Sequence, residues 1–171
     1  MQQIGFAAHP EGSSDISAAN LQIAAQHKQQ WAATHAVQAR WLTQFCFDGV
    51  PVVAWERLVR QQGNHLPIHL GLAGLASLPT LLKYARACGI GASLNQLVRN
   101  SHSLFKLASS PHPGRVLVAL ARAKLHDPAC LVEACHFFPF GAFEATVEWA
   151  NALAGGAFTL NVDTSDVQVS L

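Results

Sequence analysis

"RWLTQFCFDG", residues 40–49, is the stretch on which the reading of this chain turns. Trp41, Leu42, Phe45, Cys46 and Phe47 form an apolar run of strand length, and Gln44 carries a neutral amide into its middle. Leaving such a group unsatisfied in a dry interior costs about 1–3 kcal/mol, so something must meet its donors and its acceptor. Either the amide bridges neighbouring strands or an ordered water, or it faces a pocket and pairs with a ligand that has its own donor–acceptor edge. Just beyond the run, Asp48 offers an N-cap and Pro51 suits a first turn. The segment "VPVVAWERLVRQQ" then reads as a helix that stops at Gly63.

The same alternation extends in both directions. Upstream, "IGFAAHP" is a short strand ending in a His-Pro-Glu-Gly turn, followed by a helix over residues 17–36. Leu21, Ala24, Ala25, Lys28, Trp31 and Ala32 recur on that helix at helical spacing. Downstream, "LPIHLGLAG" is a third strand, and Ser77 caps "LPTLLKYARAC", a helix closed by Gly89. Two further helical stretches, 92–108 and 113–125, flank the break "SSPHPG". "ACLVEACHFFPF" is a fourth strand and "AFEATVEWANALA" a last helix, ended by Gly155 and Gly156. The tail, 157–171, alternates weakly and reads as a short strand or an ill-ordered end.

Four strand–helix units with near-continuous apolar strands imply an α/β fold whose parallel sheet is covered on both faces. An open doubly wound sheet fits, and so does part of a (β/α)8 barrel of TIM type. In the barrel, polar residues at the carboxyl ends of strands build the site. His9, Gln44, Gly71 and the "FFPFG" turn all come late in their strands.

Composition narrows the function. The chain has 171 residues, half of them hydrophobic and 12% charged, with a formal net charge of +1. That balance suits one compact domain and lacks the basic excess that binding nucleic acid requires. The most apolar window, residues 66–82, contains Pro67, His69 and Pro79 and changes period midway, so it reads as strand, loop and helix start rather than a membrane span. With no charged and apolar leader pattern at Met1, a cytoplasmic protein without a membrane partner is expected. Cys46, Cys88, Cys130 and Cys135 form no CxxC pair and read as small buried hydrophobes.

Nine histidines invite a metal, but the pattern supports none. His65 and His69 flank Pro67 on a strand, where four residues span about 13 Å, too far to share one ion. Cys135 and His136 are neighbours on a strand and must point to opposite faces. "GIGASL", residues 89–94, follows a helix and lacks the third glycine, so it is not a dinucleotide fingerprint. No GxSxG elbow occurs. Tyr84 reads as a core aromatic with its hydroxyl at the rim. Lys28, on the apolar stripe of its helix, either snorkels or reaches an anionic group.

Four segments, in order, resemble the methylenetetrahydrofolate reductase family. "AAHPEG" is similar to that family's Tyr-Pro-Glu-Gly-His turn, and "LTQFCFD" to its Thr-Gln-Phe-Phe-Phe-Asp strand. "LPIHLGLAGLASLPTLLKYARACG" resembles its Pro-Ile-x-Pro-Gly segment with the following helix, and "CHFFPFG" its final His-Phe-Tyr or His-Phe-Phe strand. The resemblance implies strands five to eight of a (β/α)8 barrel. That is a half-barrel of about four β-α units over residues 1–156, with 157–171 as a tail.

It implies an oxidoreductase of one-carbon metabolism that uses FAD, takes a hydride from NAD(P)H, and reduces methylenetetrahydrofolate. By position, Gln44 and Tyr84 would hold the folate substrate, while His9, Ser13 and Lys28 would lie on the cofactor. His9 replaces the family's tyrosine beside the flavin, and Ser13 replaces a flavin-contacting histidine. The family's catalytic glutamate belongs to the first strand and has no counterpart here. The expectation is therefore a truncated reading frame, or a half that works as a homo-oligomer or with a complementing N-terminal half-barrel.

Overall fold

The computed structural model describes residues 2–90, 112–163 and 165–171. Four strands, β1 (Gln2–Ala8), β2 (Val37–Cys46), β3 (Ile68–Ala73) and β4 (Val132–Phe138), form one sheet in the order β1-β2-β3-β4, and every pairing is parallel. Helices α1 (Ala18–Thr34), α2 (Gly49–Gln61), α3 (Leu78–Ala87), α4 (Gly114–His126) and α5 (Phe143–Ala154) alternate with the strands. The fold is α/β, and spatial order following chain order is compatible with a half-barrel. The helix expected over 92–108 lies outside the described residues.

Local chemistry sets the boundaries. The Asp48 carboxylate accepts from the Val50 amide at 2.9 Å to start α2, and the Ser17 hydroxyl accepts from the Asn20 amide at 3.3 Å to start α1. Ser77 precedes α3 as expected, but its hydroxyl pairs with that of Thr80 at 3.0 Å instead of with a backbone amide. Gly63, at φ +91°, ends the α2 turn in a conformation that side chains disfavour.

Alternation along each strand divides the sheet into two faces. Phe6 and Ala8, Trp41 and Cys46, Leu70 and Leu72, and Cys135 and Phe137 pack against Val52, Trp55, Val116 and Leu120 of α2 and α4. The opposite face carries Gly5, Ala7, Leu42, His69, Gly71 and His136. Cys135 and His136 do point to opposite faces, as their adjacency requires.

Buried polar groups tie the outer layer together. Asn64 accepts from the Trp41 indole at 2.9 Å and donates to the Leu66 carbonyl at 3.0 Å. Glu56, 1% exposed, accepts from Arg60 at 2.9 Å and from the Leu131 amide at 3.1 Å. Arg60 continues to the Asp127 carboxylate, which links α2 to the turn before β4.

Two elements depart from the sequence reading. The α1 stripe packs only loosely: Ala25 lies against the core and Trp31 meets Phe6 edge-on, but none of its residues is buried and Trp31 stays 39% exposed. The tail is an antiparallel hairpin, β5 (Phe158–Asn161) with β6 (Asp166–Val169), held by Val167 against Val118 and Trp149. Among the described residues, no helix is long and apolar enough to cross a membrane.

Candidate functional site at the carboxyl ends of the strands

Thr43 and Gln44 form a β-bulge. Leu42 pairs with His69 and Phe45 with Gly71, so three steps along β2 match two along β3. The Thr43 side chain repairs the interrupted ladder: its hydroxyl accepts from the Gly71 amide at 2.8 Å and donates to the Gln44 carbonyl at 2.9 Å. Gly71 is required at this spot, because a Cβ there would stand 2.4 Å from the Thr43 carbonyl oxygen. The Gln44 side chain is half-buried, and its Oε1 accepts from the Phe45 amide at 3.1 Å. Its Nε2 has no hydrogen-bond partner among the described residues. The backbone thus engages the amide's acceptor, and its donors are unspent among the described residues.

Beside Gln44, aromatic rings gather at the ends of β2 and β4. The Phe140 ring lies parallel to Tyr84 (4.4 Å between centroids, 21°) and to Phe138 (5.9 Å, 15°), with Phe45 edge-on at 4.8 Å. Phe140 occupies the turn closed by the Ala142 amide on the Pro139 carbonyl at 2.9 Å, where both central residues have positive φ: +49° at Phe140 and +91° at Gly141. Such a turn favours glycine and asparagine; a phenylalanine held there costs on the order of 1–3 kcal/mol. The rings around Phe140 offset that strain. Tyr84, 38% exposed, joins the ring group of Phe45 through Phe140 and shares no hydrogen bond with Gln44.

The residues expected on the cofactor divide. A cavity of about 360 Å³ lies between α1, α2, the end of β1 and the middle of β2; His9, Lys28, Trp41 and Trp55 line it, and Ser13 does not. This gap is why α1 buries nothing. Lys28 Nζ donates to the Ala7 carbonyl at 3.1 Å and stands 5.7 Å over the Trp41 ring. Two ammonium donors remain for an anion. Burial, and then the Lys28 charge, hold the His9 imidazole below its ordinary pKa, so it faces the cavity neutral near pH 7.

Ser13 accepts from the Asp15 amide at 3.2 Å, and the next residue, Ser14, meets α3: a Cβ on Gly89 would lie 2.5 Å from its hydroxyl. The β1–α1 loop thus reaches the end of α3. The lining is mostly apolar, and Lys28 is its one charged group, with His9 and the side-chain amides of Gln22 and Gln29 as further polar groups, so it offers one contact for a phosphate of a dinucleotide such as FAD. The volume encloses only one part of such a molecule.

On the sheet face opposite α2 and α4, His136 lies on the strand next to His69, with its Nδ1 buried and unpartnered among the described residues. Burial and the neighbouring His69 lower its pKa, and the Thr43 and His69 carbonyls partly offset this. No group of three metal-ligating side chains occurs among the described residues.

No protein-family model matches the chain. Sequence reasoning gave no role to Thr43, although it lies in the "LTQFCFD" strand, and singled out the "FFPFG" turn without showing which rings Phe138 and Phe140 meet.

Proposed function

We propose that this chain is the carboxyl-terminal half of a (β/α)8 barrel of TIM type that binds folate and a flavin. It would serve the FAD-dependent reduction of methylenetetrahydrofolate with NAD(P)H as hydride donor, in the cytoplasm. The observation that carries this reading is the Gln44 bulge. It presents an amide whose Nε2 has no partner among the described residues, near the carboxyl end of a parallel strand and next in sequence to Phe45, whose ring meets Phe140 and, through it, Tyr84. A bulge re-aims a side chain at the cost of a ladder position, and bulges concentrate next to active sites.

In this scheme Gln44 hydrogen-bonds the polar edge of a pterin, and Tyr84 packs against a planar ring. Lys28 pairs with a phosphate of the cofactor, neutral His9 lies beside it, and Ser13 acts from the loop that borders the cavity. When bound, the flavin supplies hydride transfer, while the protein contributes binding and orientation. Ring opening needs a proton donor that the resemblance assigns to the first strand of the barrel, so the chain by itself turns over no substrate.

The test uses the purified chain and its Gln44→Leu and Lys28→Met variants. Quenching of pterin fluorescence reads folate-side binding, and visible flavin absorbance retained after desalting reads the cofactor. Loss of pterin binding in Gln44→Leu, with flavin retention reduced only in Lys28→Met, is the expected pattern. Unchanged pterin affinity in Gln44→Leu sinks the folate assignment.

An alternative reading is a non-catalytic binder, or a subunit that completes its barrel with a second half, either another copy or an N-terminal half. It is favoured by the inner face of the sheet, where Gly5 and Ala7 are exposed and Leu42 is 37% exposed. Solution mass by light scattering separates a monomer from a paired form.

A further inference from the structure

The cavity between α1, α2 and the sheet combines apolar walls with a single cation. Ala8 and Trp41, both buried, line its sheet side, and Leu21 of α1 faces it together with Trp55 and Val59 of α2. Ile16 and Leu58 also line it and stay exposed, so apolar surface continues from the cavity to solvent. The one full charge is the Lys28 ammonium. It donates to the Ala7 carbonyl and forms no ion pair among the described residues. The Trp41 indole N–H is committed to Asn64, and the neutral His9 adds no second charge. At about 360 Å³ the space stands at the lower end of the range of small-ligand sites, about 300–1,000 Å³.

We propose that this cavity binds a monocarboxylate with an apolar chain, of the medium-chain fatty acid class, with its carboxylate on Lys28 and its chain among Leu21, Trp55 and Val59. A dinucleotide phosphate would use the ammonium and leave the apolar wall unmatched; an alkyl carboxylate matches both. An ammonium held among apolar groups is costly to desolvate without a counter-ion, and the carboxylate supplies one. The chain in turn takes the walls out of water, so α1, which buries none of its own residues, packs on the ligand. The site stands on this lining and not on the folate reading. Where that reading also holds, fatty acid and flavin phosphate need the same ammonium and exclude one another.

Isothermal titration calorimetry of the full chain with decanoate, below its micelle concentration, tests the site. Decanol carries the chain without the charge, and acetate the charge without the chain. Decanoate is expected to bind roughly ten-fold more tightly than decanol, and acetate not measurably. Lys28→Met brings decanoate to the decanol level, while Lys28→Arg retains the preference. Ala24, which lines the cavity from α1, becomes a space-filling residue in Ala24→Phe, and both chain-bearing probes weaken. Absence of decanoate binding overturns the site, and equal affinity for decanoate and decanol overturns the carboxylate contact. Undiminished decanoate binding in folded Ala24→Phe overturns the cavity as its place. Should that variant not fold, Leu21→Trp decides by the same criterion. Flavin retention after desalting separates this inference from the previous one. A chain that binds decanoate and retains no FAD keeps the site and loses the flavin assignment; one that retains FAD and ignores decanoate does the reverse. Where both bind, decanoate releases FAD, and binding without release overturns the shared ammonium.

Discussion

The Thr43 hydroxyl accepts the Gly71 amide at 2.8 Å, so a side chain replaces a rung of the ladder between two central strands. Thr43 is 1% exposed, and no water competes for that amide. Thr43→Val keeps shape and volume but leaves the Gly71 N–H buried without an acceptor. The expected loss is about 1–3 kcal/mol in urea unfolding, with Thr43→Ser retaining most of the stability. Because the same hydroxyl donates to the Gln44 carbonyl, the folate proposal expects Thr43→Val to weaken pterin binding as well, whereas a purely structural threonine would change stability alone.

Acid weakens the fold through His136. Its folded pKa lies below the ordinary 6.5, so the unfolded chain takes up the proton first. The stability associated with the neutral ring is complete above the unfolded value and is lost as pH falls through the folded one. His9 is shifted in the same direction and adds to the slope. Urea midpoints measured from about pH 7.5 down to about pH 5 decline for the native chain, and the decline is shallower in His136→Gln. An identical slope in the variant refutes the assignment.

Thiol chemistry separates the cysteines. Burial pushes the Cys46 thiol well above its usual range, reinforced by the nearby Glu11 carboxylate, and raises Cys135 to about 11. The thiolate is the reacting species, so both stay unmodified by a disulfide reagent in the folded protein at neutral pH. All four cysteines have free thiols, and denaturation releases four equivalents. Rapid native labelling of Cys46, identified by peptide mapping, contradicts its placement.

Glu56 joins α2 to the start of β4. Replacing it with leucine removes the acceptor for the Leu131 amide and one of two carboxylate partners of Arg60, at a cost of about 1–3 kcal/mol. Glu56→Gln costs less, since an amide oxygen still accepts from Leu131. Chemical denaturation of both variants ranks them, and the reverse order excludes the backbone contact as the reason for burying this acid.

The strand–helix alternation was legible because its causes are local. Asp48 caps α2, Gly63 releases its end, and the run of Ile68, Leu70 and Leu72 is apolar wherever it is placed. The "TQF" stretch was readable as a candidate site for the same reason, since an amide amid large apolar residues demands a partner. What it could not reveal is that Gln44 occupies a bulge. That depends on which β3 residue each β2 residue meets, and a pairing register belongs to two strands at once.

The other decisions also belong to the tertiary structure. Positive φ at Phe140 opposes the preference of that residue and persists only because rings from α3, β2 and β4 converge on it. The helical spacing of α1 identified a helix but not the gap beneath it, since periodicity states which residues share a face and not what lies opposite. Sequence alone determined the elements and their order, through caps, turns and apolar period. Only packing across distant segments decided where an amide donor, a lysine and a stack of rings would stand relative to the strand ends.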